Sequence, residues 1–148
     1  MINETMLAKN NYTIEPASAK DSEMLLEALI EFDFECMPHL PRIEIEKLDF
    51  VLKNNEGVFM GGINAEYFWG ILAIKFLCID KPFRSLKLGA VLINHVEKLA
   101  KQRGCYMAHL DTFDFQAKDF YLRHGYEVFG VIEDCPPGHK RYFMQKKF

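Results

Sequence analysis

The sequence predicts an α/β (α+β) fold, a mixed sheet of about seven strands covered by helices. Three observations lead there. Alternating or continuous apolar runs of strand length recur from Phe50 to the carboxyl end. Two amphipathic stretches of helical period interrupt them, one near the start and one from about Leu88 to Ala100. Glycine follows both later helical stretches, at Gly104 and Gly125, where a helix C-cap wants it.

Taken in order, "NYTIEPAS" reads as a short first strand, with Ser18 or Asp21 capping the helix after it. "AKDSEMLLEALIEFDFECM" places Met24, Leu25, Ala28, Leu29 and Phe32 near a helical period, and Pro38 and Pro41 end it. A strand at Phe50 to Lys53, the turn "NNEG" and a return strand "VFMGGINA" make a hairpin. "YFWGILAIKFLCI" reads as one long buried strand. In the next helix Leu88, Leu92, Val96 and Leu99 form the apolar face, with Val91 and Ala100 beside it and Asn94, Glu97, Lys98 and Lys101 opposite. "CYMAHLDTF", "YEVFGVI" and "KRYFMQKKF" are strands, and "FQAKDFYLRHG" is a short helix. The order is β-α-β-β-β-α-β-α-β-β.

At 148 residues, a single domain spanning 1–148 is expected. A net charge of −3 gives no general basic field for nucleic acid or an anionic membrane. No apolar run is long enough for a membrane span, and the first residues lack the pattern of a secretory signal, so a cytoplasmic protein is expected. Cys36, Cys78, Cys105 and Cys135 are scattered without CxxC spacing, so no disulfide and no metal site is expected.

The chemistry is concentrated in two places. Helix starts favour acids, yet "DKPFRSLKLGA" offers Arg84 and Lys87 with Gly89 beyond them. A strand entering such a turn aims free N–H groups at one point, which suits a phosphate. The same residues also fit solvated cations and a glycine at a tight helix contact. GxxxxGK[ST] and GxGxxG are both absent. Downstream, "DFYLRHGYEVFG" puts Tyr121 at the end of a helix near the sheet's carboxyl edge. A phenol there can give a proton to a leaving thiolate, and it can equally be a packing residue.

Together, in this order, the two stretches resemble the GNAT superfamily of acyl-CoA N-acyltransferases. "RSLKLG" resembles its motif A, R/Q-x-x-G-x-G/A, and "FYLRHGYEVFG" its motif B; the likeness runs from Phe50 to Phe148. Lys87 stands where motif A has its first glycine, and Asp114 near where many relatives place a cofactor-touching asparagine, so that contact is not carried over.

The resemblance implies acetyl-CoA as co-substrate. Backbone groups of Leu77, Cys78 and Ile79 would pair with the pantetheine arm, and the N–H of Leu77 or Cys78 would polarise the thioester. Amides of Ser85, Leu86, Lys87, Leu88, Gly89 and Ala90 would hold the pyrophosphate, with charge from Arg84 and Lys87. Phe120 and Arg123 would line the cofactor, and Tyr121 would be the general acid. Asp111 ranks first as acceptor of the amine's proton, ahead of Asp80, Glu66 and Asp33. The acids Glu27, Glu31, Asp33, Glu35, Glu44 and Glu46 suggest a cationic acceptor with an apolar body. Of the histidines, His95 and His124 read as packing or capping groups, and His139 is a candidate at the acceptor mouth. A non-catalytic acyl-CoA-binding module and an interaction protein are the alternatives, and the apolar final strands suggest a homodimer.

Overall fold

The computed structural model describes residues 12–148. The chain forms two compact units, divided between Arg42 and Ile43.

The first unit contains helix α1, Ala19–Cys36. Its start is set by a capping box. Ser18 Oγ accepts from Asp21 N–H at 3.2 Å, and Asp21 Oδ2 accepts from Ser18 N–H at 2.8 Å. The expected strand before it is not formed. Residues 12–17 have no regular structure, and Asn11 lies outside the described residues. Arg42 pairs with both Glu27 and Glu31.

The second unit is a seven-stranded sheet with two helices. Its elements are β1 (Glu46–Lys47), β2 (Phe50–Lys53), β3 (Phe59–Phe68), β4 (Ile71–Ile79), a 3-10 helix (Lys81–Leu86), α2 (Leu88–Gln102), β5 (Met107–Phe113), α3 (Lys118–Arg123), β6 (Glu127–Ile132) and β7 (Arg141–Lys147). The spatial order is β1-β3-β4-β5-β7-β6, with β2 also on β3. The strand count thus agrees with expectation, but the two-residue β1 takes the place of the strand expected before α1.

The apolar run read as one strand hides a hairpin. Phe68 pairs with Ile71, leaving a two-residue turn at Trp69 and Gly70 with φ of 49° and 77°. Two positive φ values define the tight turn that matches strand twist, and glycine takes the second without strain. Trp69 occupies the first, where composition gives no turn signal.

All strand pairs are antiparallel except β4–β5. That parallel pairing is short, joining Ile71–Ala73 to Met107–His109 only. Beyond it the strands part, and β5 continues along its whole length with β7. A bulge marks the departure. Asn64 faces Phe76 and Ala65 faces Ile74, so Lys75 is the extra residue on β4.

Helix α2 packs on β3 and β4. The core holds Ile63, Ala65, Leu72, Ile74, Leu92, Ile93, Val96, Ala100, Leu110 and Met144. The helix is rotated from the expected apolar stripe. Ile93 is wholly buried, Val91 is exposed, and Glu97 is buried rather than facing solvent. Glu97 is satisfied there by Tyr126 Oη at 2.9 Å and Lys146 Nζ at 2.7 Å. A carboxylate with two such donors can leave water.

Candidate active site

The gap between β4 and β5 exposes backbone, and strand register decides which groups. Asp80 N–H donates to Met60 O at 2.9 Å, outside the narrow pair Gly61–Ile79. Hydrogen-bonded and non-bonded pairs alternate along an antiparallel ladder. Cys78 and Gly62 therefore exchange their backbone bonds, whereas Leu77 and Ile79 turn theirs away from β3. They face the side where β5 has departed. Of the two amides expected to serve the thioester carbonyl, Leu77 has the open one, and Cys78 spends its own within the sheet. Arg84 Nε donates to Ile79 O at 3.1 Å, so that carbonyl is occupied as well. Leu77 N–H and C=O and Ile79 N–H remain as the open edge.

The chain then makes a tight passage into α2. Asp80 starts the 3-10 helix, accepting from Lys81 N–H at 2.8 Å. Lys87 closes it with φ 56° and ψ 25°, a left-handed conformation that glycine adopts freely and lysine does not. This is the physical reason a glycine is usual at that position. Ala90 N–H donates to Lys87 O at 3.1 Å. Among the described residues no side chain caps the start of α2, and its first turn holds no acid. The helix end is thus electropositive, flanked by Lys87 and uncompensated from within.

Gly89 is buried here. A β-carbon on it would lie 3.3 Å from Phe120 Cε2 and Cζ and 3.6 Å from Leu77 Cδ2. The start of α2, the open end of β4 and the middle of α3 therefore meet at one point. The Phe120 ring meets that of Tyr121 edge-on at 5.1 Å. Phe120 and Arg123 also border a cleft of about 460 Å³ shared with Lys118 and Tyr142.

Short polar contacts fix α3 to the end of β5. Ala117 N–H donates to Thr112 Oγ1 at 3.4 Å, and Phe113 N–H to Gln116 Oε1 at 3.0 Å. Tyr121 is 5 % exposed, with its ring against Tyr126 at 5.8 Å. Its hydroxyl has no hydrogen-bond partner among the described residues. No described buried polar side-chain atom is left unsatisfied, so the oxygen keeps some contact with solvent. Burial, and secondarily the charge of Asp111, push the phenol up to about 12. It keeps its proton at neutral pH.

Asp111 is not a free carboxylate. Its Oδ2 accepts from Arg141 Nε at 2.7 Å. The other proposed proton acceptors are also engaged or elsewhere: Glu66 pairs with Lys75 at 3.2 Å, Asp80 caps the 3-10 helix, and Asp33 lies on α1. Asp114 is held by His139 Nδ1 at 3.0 Å and by Lys140 N–H at 3.2 Å. His124 Nδ1 lies 2.8 Å from Phe120 O, and His95 packs on Phe50. Sequence reasoning missed the Asp111–Arg141 and Glu97–Tyr126–Lys146 groupings. Both depend on strand register, which no local pattern sets. Among the described residues no helix is long and apolar enough to cross a membrane.

Comparison with known proteins agrees with this geometry. Residues 21–126 match the acetyltransferase (GNAT) family. The chain is 35% identical over 92 residues to a blasticidin-S acetyltransferase of Streptomyces morookaense, covering 62% of this chain and 68% of that one. It is similar to a crystal structure of an acetyltransferase from Bacillus cereus, with a TM-score of 0.79 and 34% identity over 93% of this chain and 98% of that one. A Bacillus anthracis protein named as a streptothricin acetyltransferase, solved with acetyl coenzyme A, shares the fold. Its TM-score is 0.61 at 19% identity, over 69% and 62% of the two chains. With the open strand edge, the uncapped helix and the family match in agreement, the chain belongs to the GNAT family of acetyltransferases.

Proposed function

We propose that this protein transfers an acetyl group from acetyl-CoA to a primary amine by direct attack. The observation that carries the reading is the convergence at Gly89 of an open strand edge, an uncapped helix and the α3 aromatics. The pantetheine arm fits as an added strand against Leu77 and Ile79. Its diphosphate fits the start of α2, where the amides of Leu88 and Gly89 lack carbonyl partners among the described residues and Lys87 and Arg84 add charge. The Bacillus anthracis relative with acetyl coenzyme A supports this co-substrate.

The thioester supplies an activated acyl carbon. Leu77 N–H donates to its carbonyl oxygen, stabilising the negative charge that grows there as the amine attacks. Tyr121 donates through its hydroxyl to the sulfur as that atom gains charge. At a pKa of about 12 the phenol is first a hydrogen-bond donor; the burial that raises it also raises the basicity of the departing sulfur, so the proton can cross as the C–S bond breaks. Asp111, near enough to act on Tyr121, takes the amine's proton through water, its Oδ1 being clear of the Arg141 bond. We take the two compact units as parts of one catalytic domain, since the family match spans both. The exposed Phe129, Val131 and Ile132 of the edge strand β6 favour a homodimer.

Thiol release from acetyl-CoA in the presence of a panel of amines tests this reading. Saturable, amine-dependent release that falls in Tyr121→Phe supports it. Saturable acetyl-CoA binding with no release for any amine would favour a non-catalytic binder.

A further inference from the structure

Arg141 opens β7 directly opposite Phe113, the last residue of β5. Its guanidinium carbon lies 5.6 Å over the Phe113 ring and 5.3 Å over the Phe143 ring. Nε is fixed by Asp111 at 2.7 Å. Three contacts thus immobilise a flat cation, while both terminal nitrogens lack hydrogen-bond partners among the described residues. A guanidinium so held presents a rigid two-pronged donor set, the geometry that carboxylates match.

Its place in the sheet is informative. Ala108, Leu110 and Thr112 point into the core, so His109, Asp111 and Phe113 occupy the opposite face. Arg141 and Phe143 share that face through their pairing with Phe113 and Asp111. The face lies beside the departure of β5 from β4, and Asp111 is close enough to influence Tyr121. The cofactor's phosphates have their own cations, Arg84 and Lys87, at the far end of β4. The acids that suggested a cationic acceptor are partly spent, since Glu27 and Glu31 are both paired with Arg42.

We infer that Arg141, clamped by Asp111, Phe113 and Phe143, is the specificity residue for an acceptor that carries a carboxylate as well as its amine. The flanking rings favour an acceptor with a flat or apolar body between the two groups. This inference rests on the acetyl-transfer reading.

The test compares paired acceptors, phenylalanine against phenethylamine and tyrosine against tyramine, by thiol release and by acetyl-CoA KM. The wild type is expected to show an acceptor KM about tenfold lower, or better, for the carboxylated member of a pair. Arg141→Gln should erase that preference and leave the acetyl-CoA KM in place, and Arg141→Lys should recover part of it. Three outcomes overturn the inference while leaving acetyl transfer standing. Decarboxylated amines could be used equally well. Arg141→Gln could raise the acetyl-CoA KM instead, which would give the guanidinium to a cofactor phosphate. It could also lower thermal stability with both KM values unmoved, which would make it a tie between strands. Absence of acetyl-CoA binding in calorimetry would remove the underlying reading itself.

Discussion

Gly89 and Phe120 stand so close that a β-carbon on the glycine would lie 3.3 Å from the ring edge. This contact joins the turn at the start of α2 to α3, the helix that carries Tyr121, the proposed proton donor. Alanine there asks the ring to yield by a few tenths of an ångström, and Gly89→Ala is expected to remain close to wild type. Gly89→Val adds branches that displace Phe120 and, through it, Tyr121. We expect that variant to raise the acetyl-CoA KM and lower kcat together, roughly tenfold or more each in steady-state assays. A normal kcat would show that the contact does not position Tyr121.

Tyr121→Phe removes a hydroxyl with no hydrogen-bond partner among the described residues, so its effect on folding should be small. Thermal stability is expected to stay close to wild type while kcat falls about a hundredfold, the usual scale for a lost general acid. With the phenol near 12, its ionisation should not shape the rate profile below about pH 11. A large loss of stability with unchanged turnover would make Tyr121 a packing residue.

Lys87 tests conformation and charge separately. Its left-handed backbone costs about 1 kcal/mol, which glycine relieves at an unfolded-state entropy cost of similar size. Urea denaturation should find Lys87→Gly within about 1 kcal/mol of wild type and Lys87→Val less stable by about 1–2 kcal/mol. Both remove the cation, so both should raise the acetyl-CoA KM by a similar factor of about three. Unequal KM changes would assign the residue's role to backbone shape.

Motif A and motif B were legible because each is local: a few residues of fixed spacing, with glycines where the chain must turn or approach. The helices were legible for the same reason, and of the two caps the sequence offered for α1, Ser18 takes the N-cap while Asp21 completes the capping box. The Trp69–Gly70 turn was not, because tryptophan carries no turn signal and the apolar residues run on through it. Nor was the burial of Glu97, since its partners Tyr126 and Lys146 come from distant elements. The family resemblance pointed to Leu77, Cys78 and Ile79 for the cofactor arm. Only the pairing with β3 tells which of their amides are open.

Glu97 marks the cost of such a buried group. Glu97→Ala leaves Lys146 without its carboxylate and Tyr126 without its acceptor, and is expected to destabilise by about 3 kcal/mol in denaturant titration. Replacing all three together, as Glu97→Leu, Tyr126→Phe and Lys146→Met, should recover much of that loss. If the single variant were as stable as wild type, the triad would have no structural weight.

His109 should give stability a pH dependence of definite sign. Burial, and then the charge of Lys75, hold it below its ordinary value of 6.5. The unfolded chain therefore binds a proton more readily than the folded one in the window below pH 6.5. Stability should be full above that value and fall as pH drops through it. Thermal denaturation between pH 5 and 7 should show a shallower slope for His109→Gln than for wild type. Identical slopes would remove His109 as the cause.

The most direct test of the open strand edge is amide hydrogen exchange by NMR, with and without saturating acetyl-CoA. Leu77 and Ile79 amides should exchange quickly in the free protein and become strongly protected on binding, while Cys78 is slow in both states. Unchanged exchange at Leu77 in a protein demonstrably saturated with acetyl-CoA would contradict the account.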